Sequence, residues 1–285
     1  MKISVIIPVY NRLEHLRAGF ISLIRQKKQP DELIITDDGS SQNILNYIAD
    51  LIPSAKFKVK HIYQEDKGFR KTRALNNAVL NAEGEVLVFC DQDLIFGEEY
   101  IEIIYKNIRK GFFLMGRAYH ITEDEKNIVL SKIENIKEFK EIIEILPKYY
   151  PSIIKKMLNE DKNRRILNYF KLAKRGIKLV GMSYALLKED YMKVNGYDEN
   201  YIGWGEEDDD FGNRLNVAGI KGKELITPNI QLHLWHYSDP TKTKSLNEEY
   251  YYKRKKEIFK NKDYFCQNGC ISEQLRDDIR IEELN

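Results

Sequence analysis

The chain has 285 residues, 42% of them hydrophobic, and sets 46 Lys or Arg against 44 Asp or Glu for a net charge of +2. That length can bury the core of one large domain or one and a half. The charge balance supplies no overall field for nucleic acid or an acidic polymer, so no nucleic-acid partner is expected. Cys90, Cys266 and Cys270 form an odd set without Cys-x-x-Cys spacing, which disfavours a disulfide framework or a structural zinc and points to a reducing compartment. The opening Lys2-Ile-Ser-Val-Ile-Ile-Pro8 has neither signal-peptide layout nor membrane-spanning length, so the expected location is the cytoplasm.

Apolar runs bounded by turn residues recur at Ile3–Ile7, Leu33–Thr36, Phe57–Tyr63 and Val86–Cys90, with amphipathic stretches of helical length between them. The alternation predicts a mostly parallel sheet with flanking helices over 12–28, 41–52 and 69–82. In the first of these, Leu13, Leu16, Phe20, Leu23 and Ile24 share one face. Ligands of open α/β sheets sit at the carboxyl ends of strands. Here those ends carry Pro8-Val-Tyr-Asn11, Asp37-Asp-Gly-Ser40, Glu65-Asp-Lys-Gly68 and Asp91-Gln-Asp93, which predicts a polar pocket on one rim.

Between Lys126 and Lys178 there are 14 Lys or Arg against 6 Asp or Glu, a local excess of +8, with helical patterns at 134–146 and 152–174 broken by Pro147 and Pro151. This segment reads as an insertion. It is either a solvated helical pair with Tyr149, Tyr150, Tyr169 and Phe170 among its bases, or a platform for a membrane surface or an acidic acceptor. A strand over Leu179–Leu187, short helices at 189–194 and 208–218, and a basic helical tail from 246 complete the pattern. The expected division is 1–119, an inserted 120–178, 179–245, and a helical tail 246–285.

Asp91 and Asp93 leave a hydrophobic strand as Asp-x-Asp. In extended backbone both carboxylates face one side and suit Mg2+ or Mn2+, the alternative being a helix N-cap beside a surface acid. His233 and His236 in Leu232-His-Leu-Trp-His236-Tyr237 would face opposite sides if extended, so one ligand is expected, and His236 is favoured because it precedes the polar loop 237–242. Residues 203–210 read Gly-Trp-Gly-Glu-Glu-Asp-Asp-Asp, more adjacent carboxylates than capping needs. Like charges push a carboxyl pKa upward, so Glu207 and Asp208 are candidates for a general base, and Trp204 is either a sugar platform or a core aromatic. Asp37-Asp-Gly-Ser40 is a turn that lets Asp38 accept from a nucleobase, and Lys67-Gly-Phe-Arg-Lys-Thr-Arg73 places cations at a helix start, suited to phosphate or simply a solvated face.

Pro8-Val-Tyr-Asn-Arg12, Asp37-Asp-Gly-Ser40, Lys67-Gly-Phe-Arg-x-x-Arg73 with Asn76, and the Asp-x-Asp resemble family 2 glycosyltransferases of the GT-A fold. Asn195-Gly-Tyr-Asp-Glu-x-Tyr-x-Gly-Trp-Gly-Glu-Glu-Asp-Asp-Asp210-Phe-x-x-Arg214-Leu is similar to the acceptor-side motif of beta-1,4-galactosyltransferases, polypeptide GalNAc-transferases and bacterial chondroitin polymerase. The resemblance covers residues 1–117 and 179–238. It implies a UDP-sugar donor bound by Pro8, Tyr10, Asn11, Arg12, Asp38, Gly68, Arg70, Arg73, Asp91 and Gln92, with Asp38 on uracil and Asp91 on the ribose and diphosphate. It further implies Mn2+ or Mg2+ on Asp93 and His236, Asp208 as the base, and Trp204, Gly205 and Glu207 on the acceptor. Where the family often has Gly-Gly-Asn-Met-Ser this chain has Val180-Gly-Met-Ser-Tyr184, and 120–178 has no counterpart.

The expected activity is therefore inverting transfer of a hexose or N-acetylhexosamine to a saccharide or lipid-linked saccharide, in capsule or lipopolysaccharide assembly, with contact at the inner membrane surface. The rivals are a nucleotidyltransferase, which wants a glycine-rich loop after the first strand, and a nucleotide-sugar-binding protein without turnover. A nicotinamide-dependent dehydrogenase is excluded by the lack of Gly-x-Gly-x-x-Gly after that strand.

Overall fold

A computed structural model describes residues 1–146, 150–170, 177–225, 231–237, 245–273 and 276–285. Strands β1 (Ile3–Val9), β2 (Glu32–Asp37), β3 (Lys58–Gln64) and β4 (Val86–Cys90) are the expected apolar runs, the first two extended by two residues, the third shifted by one and the last unchanged. They pair in parallel in the order β3-β2-β1-β4. Beyond β4 the sheet continues with β8 (Ser183–Leu187), β6 (Phe112–Met115) and β9 (Lys221–Glu224), and β8 runs antiparallel to both its neighbours.

Side-chain alternation divides the core. Ile3, Val5, Ile7 and Val9 of β1 face α1 (Leu13–Ile24), α2 (Ile44–Ile48) and α4 (Tyr100–Asn107), where Leu16, Phe20, Ile48 and Ile104 are buried. Ile6, Leu87 and Phe89 face the opposite layer, built from α3 (Lys71–Leu80), α8 (Lys188–Lys193) and α9 (Glu207–Val217). Both faces are covered, as the continuous apolar runs require.

A second sheet orders β5 (Leu94–Ile95), β10 (Gln231–His233) and β7 (Ala118–His120). It seats on Ala18 and Ile21 of α1, and the same cluster includes Val129, Ile133, Phe139 and Ile142. The expected insertion 120–178 contributes buried side chains from Ile121 to Leu146 to this cluster. It contains α5 (Glu123–Lys132), which the expected pair of helices omitted, followed by α6 (Phe139–Ile145) and α7 (Tyr150–Tyr169). The missed signal was the capping box of Thr122 and Glu125, which closes the first turn of α5. Pro147, Tyr149 and residues 171–174 lie outside the described residues. Among the described residues no helix is long and apolar enough to cross a membrane.

The tail is not helical throughout. Helix α10 (Glu248–Asn261) is followed by a loop and then β11 (Ile279–Glu283), which pairs antiparallel with β3 at the sheet edge. Asn285 donates to the Phe57 carbonyl and accepts from the Val59 amide, fastening the end of the strand. Asp278, just before β11, lies 2.5 Å from the buried Arg73 guanidinium. Asp278→Ala should therefore lower the unfolding free energy by roughly 1.5–3 kcal/mol, the range for a hydrogen bond to a charged group. A urea midpoint equal to wild type would show that Glu199 alone, 3.6 Å from Arg73, suffices.

Candidate active site

The carboxyl ends of β1, β2 and β4 meet the start of β8 and the start of α9 around a cavity of about 350 Å³. Pro8, Tyr10 and Arg12 line it from the first loop, Asp38 from the second, and Asp91, Gln92 and Asp93 from the turn after β4. Trp204, Glu207 and Asp208 face it from the far side, with Lys71, His233 and His236 between. Segments distant in the chain are thereby brought to one rim.

The first loop is set by Gln92. Its side-chain oxygen accepts from the Tyr10 amide at 2.9 Å and its amide donates to the Asn11 carbonyl at 2.9 Å, while Asn11 and Arg12 are both left-handed at φ 53° and 52°. Asn11 turns its own side-chain oxygen to the Ser41 and Gln42 amides, joining this loop to the next. Asp38 accepts from Gln64 at 2.6 Å and from the Arg70 amide at 2.7 Å, and burial still pushes its carboxyl up to about 6.

Asp91 and Asp93 do not sit in extended backbone, because β4 ends at Cys90 and a turn follows. Both still line the cavity, with separate partners. Asp91 takes the Lys71 ammonium at 2.7 Å; burial raises its pKa while Lys71 opposes the rise. Asp93 lies under two imidazoles, with His233 Nε2 3.5 Å from Oδ1 and His236 Nε2 3.3 Å from Oδ2. The expectation that only one histidine reaches the site assumed a continuous strand. Strand β10 stops at His233, and the Leu234 amide bonds the Asp93 carbonyl at 2.8 Å, so both rings come down on the same carboxylate. His15 of α1 holds the segment by donating to the Trp235 carbonyl at 3.1 Å. Tyr237 is described, but the rest of the polar loop at 238–242 lies outside the described residues.

This donor set fits a divalent cation. One atom from each of Asp93, His233 and His236 lies within 4.8 Å of the others. Asp93 Oδ1 is buried without a hydrogen-bond partner. His236 Nδ1 is 3.1 Å from the Tyr237 carbonyl, which can only accept, so the proton is on Nδ1 and the neutral ring turns its Nε2 lone pair toward Asp93. Burial lowers the His236 pKa, disfavouring a second proton there. A carboxylate with two imidazoles suits Mn2+ better than Mg2+.

The acidic run is sorted by helical geometry. Glu206 is the left-handed N-cap of α9 at φ 73° and makes no side-chain cap. Asp210 is buried against Arg214 at 2.6 Å, and Asp209 pairs with Tyr251 and with Lys178 at 3.3 Å. Glu207 and Asp208 remain for the cavity. Asp208 is held at both oxygens, by the Gly181 amide at 2.9 Å and the Tyr197 hydroxyl at 2.8 Å. A Cβ at position 181 would come within 2.5 Å of Oδ1, so only glycine admits the carboxylate. Glu207 accepts from the Gly205 amide at 3.0 Å, and burial, reinforced by the Asp208 charge, raises its carboxyl to about 7. Trp204 is 46% exposed and lines the cavity, as a platform would and a core aromatic would not.

Arg70, Arg73 and Gly68 do not line the cavity. Arg70 and Arg73 turn to Asp278, and Arg73 also to Glu199. Residues two apart on a helix point about 200° away from each other, so when Lys71 opens α3 toward the cavity Arg73 must face the chain's last segment. Gly68 is a left-handed turn residue at φ 84°. Lys71 and Tyr197 are the residues that motif reading left without a role. Lys71 lies within the basic run 67–73 and Tyr197 within the motif that starts at Asn195, but neither pattern shows that they meet Asp91 and Asp208.

Glu207 gives this site a pH signature. Between its ordinary value of 4.5 and about 7 the folded chain keeps a proton that the unfolded chain has released. Its contribution to stability is therefore greatest below about 4.5 and declines as pH rises to about 7. Glu207→Gln should flatten that part of the thermal-stability profile; an unchanged slope would place the titration elsewhere.

Comparison with known proteins bears on the family and the fold. The pattern of glycosyl transferase family 2 matches residues 4–167, and that of the N-terminal domain of galactosyltransferase matches 162–236. Validoxylamine A glucosyltransferase of Streptomyces hygroscopicus subsp. limoneus is 24% identical over 233 residues, 76% of this chain and 48% of the relative. Chondroitin synthase of Escherichia coli is 25% identical over 232 residues, 76% of this chain and 32% of the relative. The chain thus spans half or less of the length of these curated relatives. GalNAc-T7 with UDP, GalNAc and Mn2+ superposes at a TM-score of 0.59 with 15% identity, over 93% of this chain and 50% of that one. S. aureus TarS 1-349 in complex with UDP-GlcNAc gives 0.55 with 15% identity, over 89% and 64%. The likeness of these structures establishes the GT-A fold, and with the family pattern covering more than half its residues, the chain belongs to glycosyl transferase family 2.

Proposed function

We propose that the cavity transfers a hexose or N-acetylhexosamine from a UDP-sugar to a saccharide hydroxyl with inversion, in assembly of a bacterial capsule or lipopolysaccharide, on a free or lipid-linked acceptor. One observation carries the reading: Asp208, fixed at both oxygens, shares a cavity with the Asp93, His233 and His236 cluster. UDP-bound and Mn2+-bound structural neighbours support the donor and the metal.

Asp38, buried with each oxygen already accepting one hydrogen bond, keeps a second accepting direction on each for an N–H of the uracil ring. Asp91 and Lys71 stand beside the ribose and diphosphate. A divalent cation, held by Asp93, His233 and His236, would supply positive charge to the departing diphosphate. Trp204 offers the apolar face on which an acceptor ring lies, and Glu207, protonated up to about pH 7, contacts an acceptor hydroxyl. Asp208 takes the proton of the attacking hydroxyl. As the acceptor oxygen bonds to C1, the bond from C1 to the phosphate oxygen breaks on the opposite face and UDP leaves with that electron pair, through an oxocarbenium-like transition state. The donors on Asp208 keep its carboxylate oriented without neutralising it.

A nucleotide-sugar-binding protein without turnover would not need a doubly held carboxylate, and Mn2+-dependent release of UDP from a UDP-sugar separates the two. Asp208→Asn should reduce transfer by roughly 10²-fold or more and leave UDP binding near wild type, whereas Asp93→Ala should weaken both. Wild-type turnover in Asp208→Asn would overturn the base assignment. The donor is identified by screening UDP-sugars with Mn2+ for a rise in melting temperature, since a ligand of the native state raises apparent stability.

The basic excess between Lys126 and Lys178 supports docking on an anionic membrane surface, where a lipid-linked acceptor would be presented. Flotation with anionic liposomes at low salt is the expected result, and its absence would leave the segment a plain cover of the core.

A further inference from the structure

Arg12 belongs to the cavity, yet its pairing differs from the settled ion pairs of this chain. Arg214 meets Asp210 at 2.6 Å in full burial, and Arg117 grips Glu224 with two nitrogens at 2.9 Å each. Arg12 reaches Asp93 Oδ2 with one nitrogen at 3.3 Å while its side chain stays 41% exposed. Its backbone is fixed, with the carbonyl accepting from Gln92 at 3.3 Å and from the His15 amide at 3.1 Å. One end of the residue is anchored and the other is a long arm with room to move. The oxygen it touches is the one that His236 Nε2 approaches at 3.3 Å, so guanidinium and divalent cation would compete for a single position.

Resting on the reading of Asp93, His233 and His236 as a cation site, we propose that Arg12 is an internal competitor for that site. Its guanidinium holds Asp93 until a divalent cation arrives together with a nucleoside diphosphate, and then passes to the phosphate oxygens. A planar guanidinium pairs well with phosphate, so the arm exchanges one anionic partner for another. Cation and diphosphate then bind cooperatively, because each removes a penalty on the other.

The test is Mn2+ binding to the full chain, followed by the electron paramagnetic resonance of free Mn2+, with and without UDP, in wild type, Arg12→Met and Arg12→Lys. Arg12→Met should bind Mn2+ alone about threefold tighter or better, the scale of a half-exposed ion pair, and the strengthening of Mn2+ binding by UDP should shrink by at least that factor. Arg12→Lys, which keeps the charge, should fall between. If Arg12→Met does not fold by circular dichroism, Arg12→Gln carries the same expectation. Mn2+ binding that is lost in Asp93→Ala but unchanged in Arg12→Met would overturn the role of Arg12 alone. Absence of Mn2+ binding in wild type would overturn it together with the cation site.

Discussion

Asp91, Asp93, Glu207 and Asp208 share one cavity, and the mutual repulsion of these carboxylates is the constraint around which the rim is arranged. Each is accommodated by a different device. Asp91 has the Lys71 ammonium, whose charge burial opposes and whose carboxylate neighbours sustain. Asp93 has the Arg12 guanidinium. Glu207 keeps its proton to about neutrality, and Asp208 is held by two neutral donors that leave its charge in place. A cavity so lined has room for one more cation and for a bound hydroxyl, which is what sugar transfer from a diphosphate requires.

The scaffold enforces this convergence through backbone contacts more than through side-chain pairs. The turn after β4 leads straight into β5, β5 pairs with β10, and the pairing of Leu94 with His233 sets the histidine beside Asp93. Behind Asp208, the Tyr184 and Tyr197 hydroxyls lie 2.9 Å apart inside the aromatic layer of Phe89, Tyr191 and Phe211, so the core itself aims the carboxylate. Asn76 reaches the same layer, bonding the Tyr197 carbonyl and Glu199, and thereby ties α3 to the loop that precedes the acidic run.

Much of this was legible before any coordinates. Alternating apolar runs and helical faces located the parallel strands, and polar clusters at strand ends located the rim. The acidic run could be recognised as excessive but not sorted, because which carboxylates meet the cavity depends on how α9 is turned against its neighbours. The placement of both His233 and His236 at Asp93 is hidden from the sequence by the end of β10, where the Leu234 amide bonds the Asp93 carbonyl across more than a hundred residues. Arg70 and Arg73 looked like phosphate ligands until Asp278, from the last segment, claimed them. The tail strand β11 alternates only briefly, and pairing to an exposed edge is a tertiary decision that five residues cannot announce.

The single reversed strand between β4 and β6 has a further consequence. Because β8 travels against β4, with Ser183 opposite Cys90, the residues just ahead of β8 arrive at the same end of the sheet that β4 leaves. Gly181 therefore reaches the cavity rim by a pairing rule and not by the distance the chain has covered since Asp93. Excursions between these two points can lengthen, shorten or change partner while the sheet keeps the glycine and the aspartate at one rim.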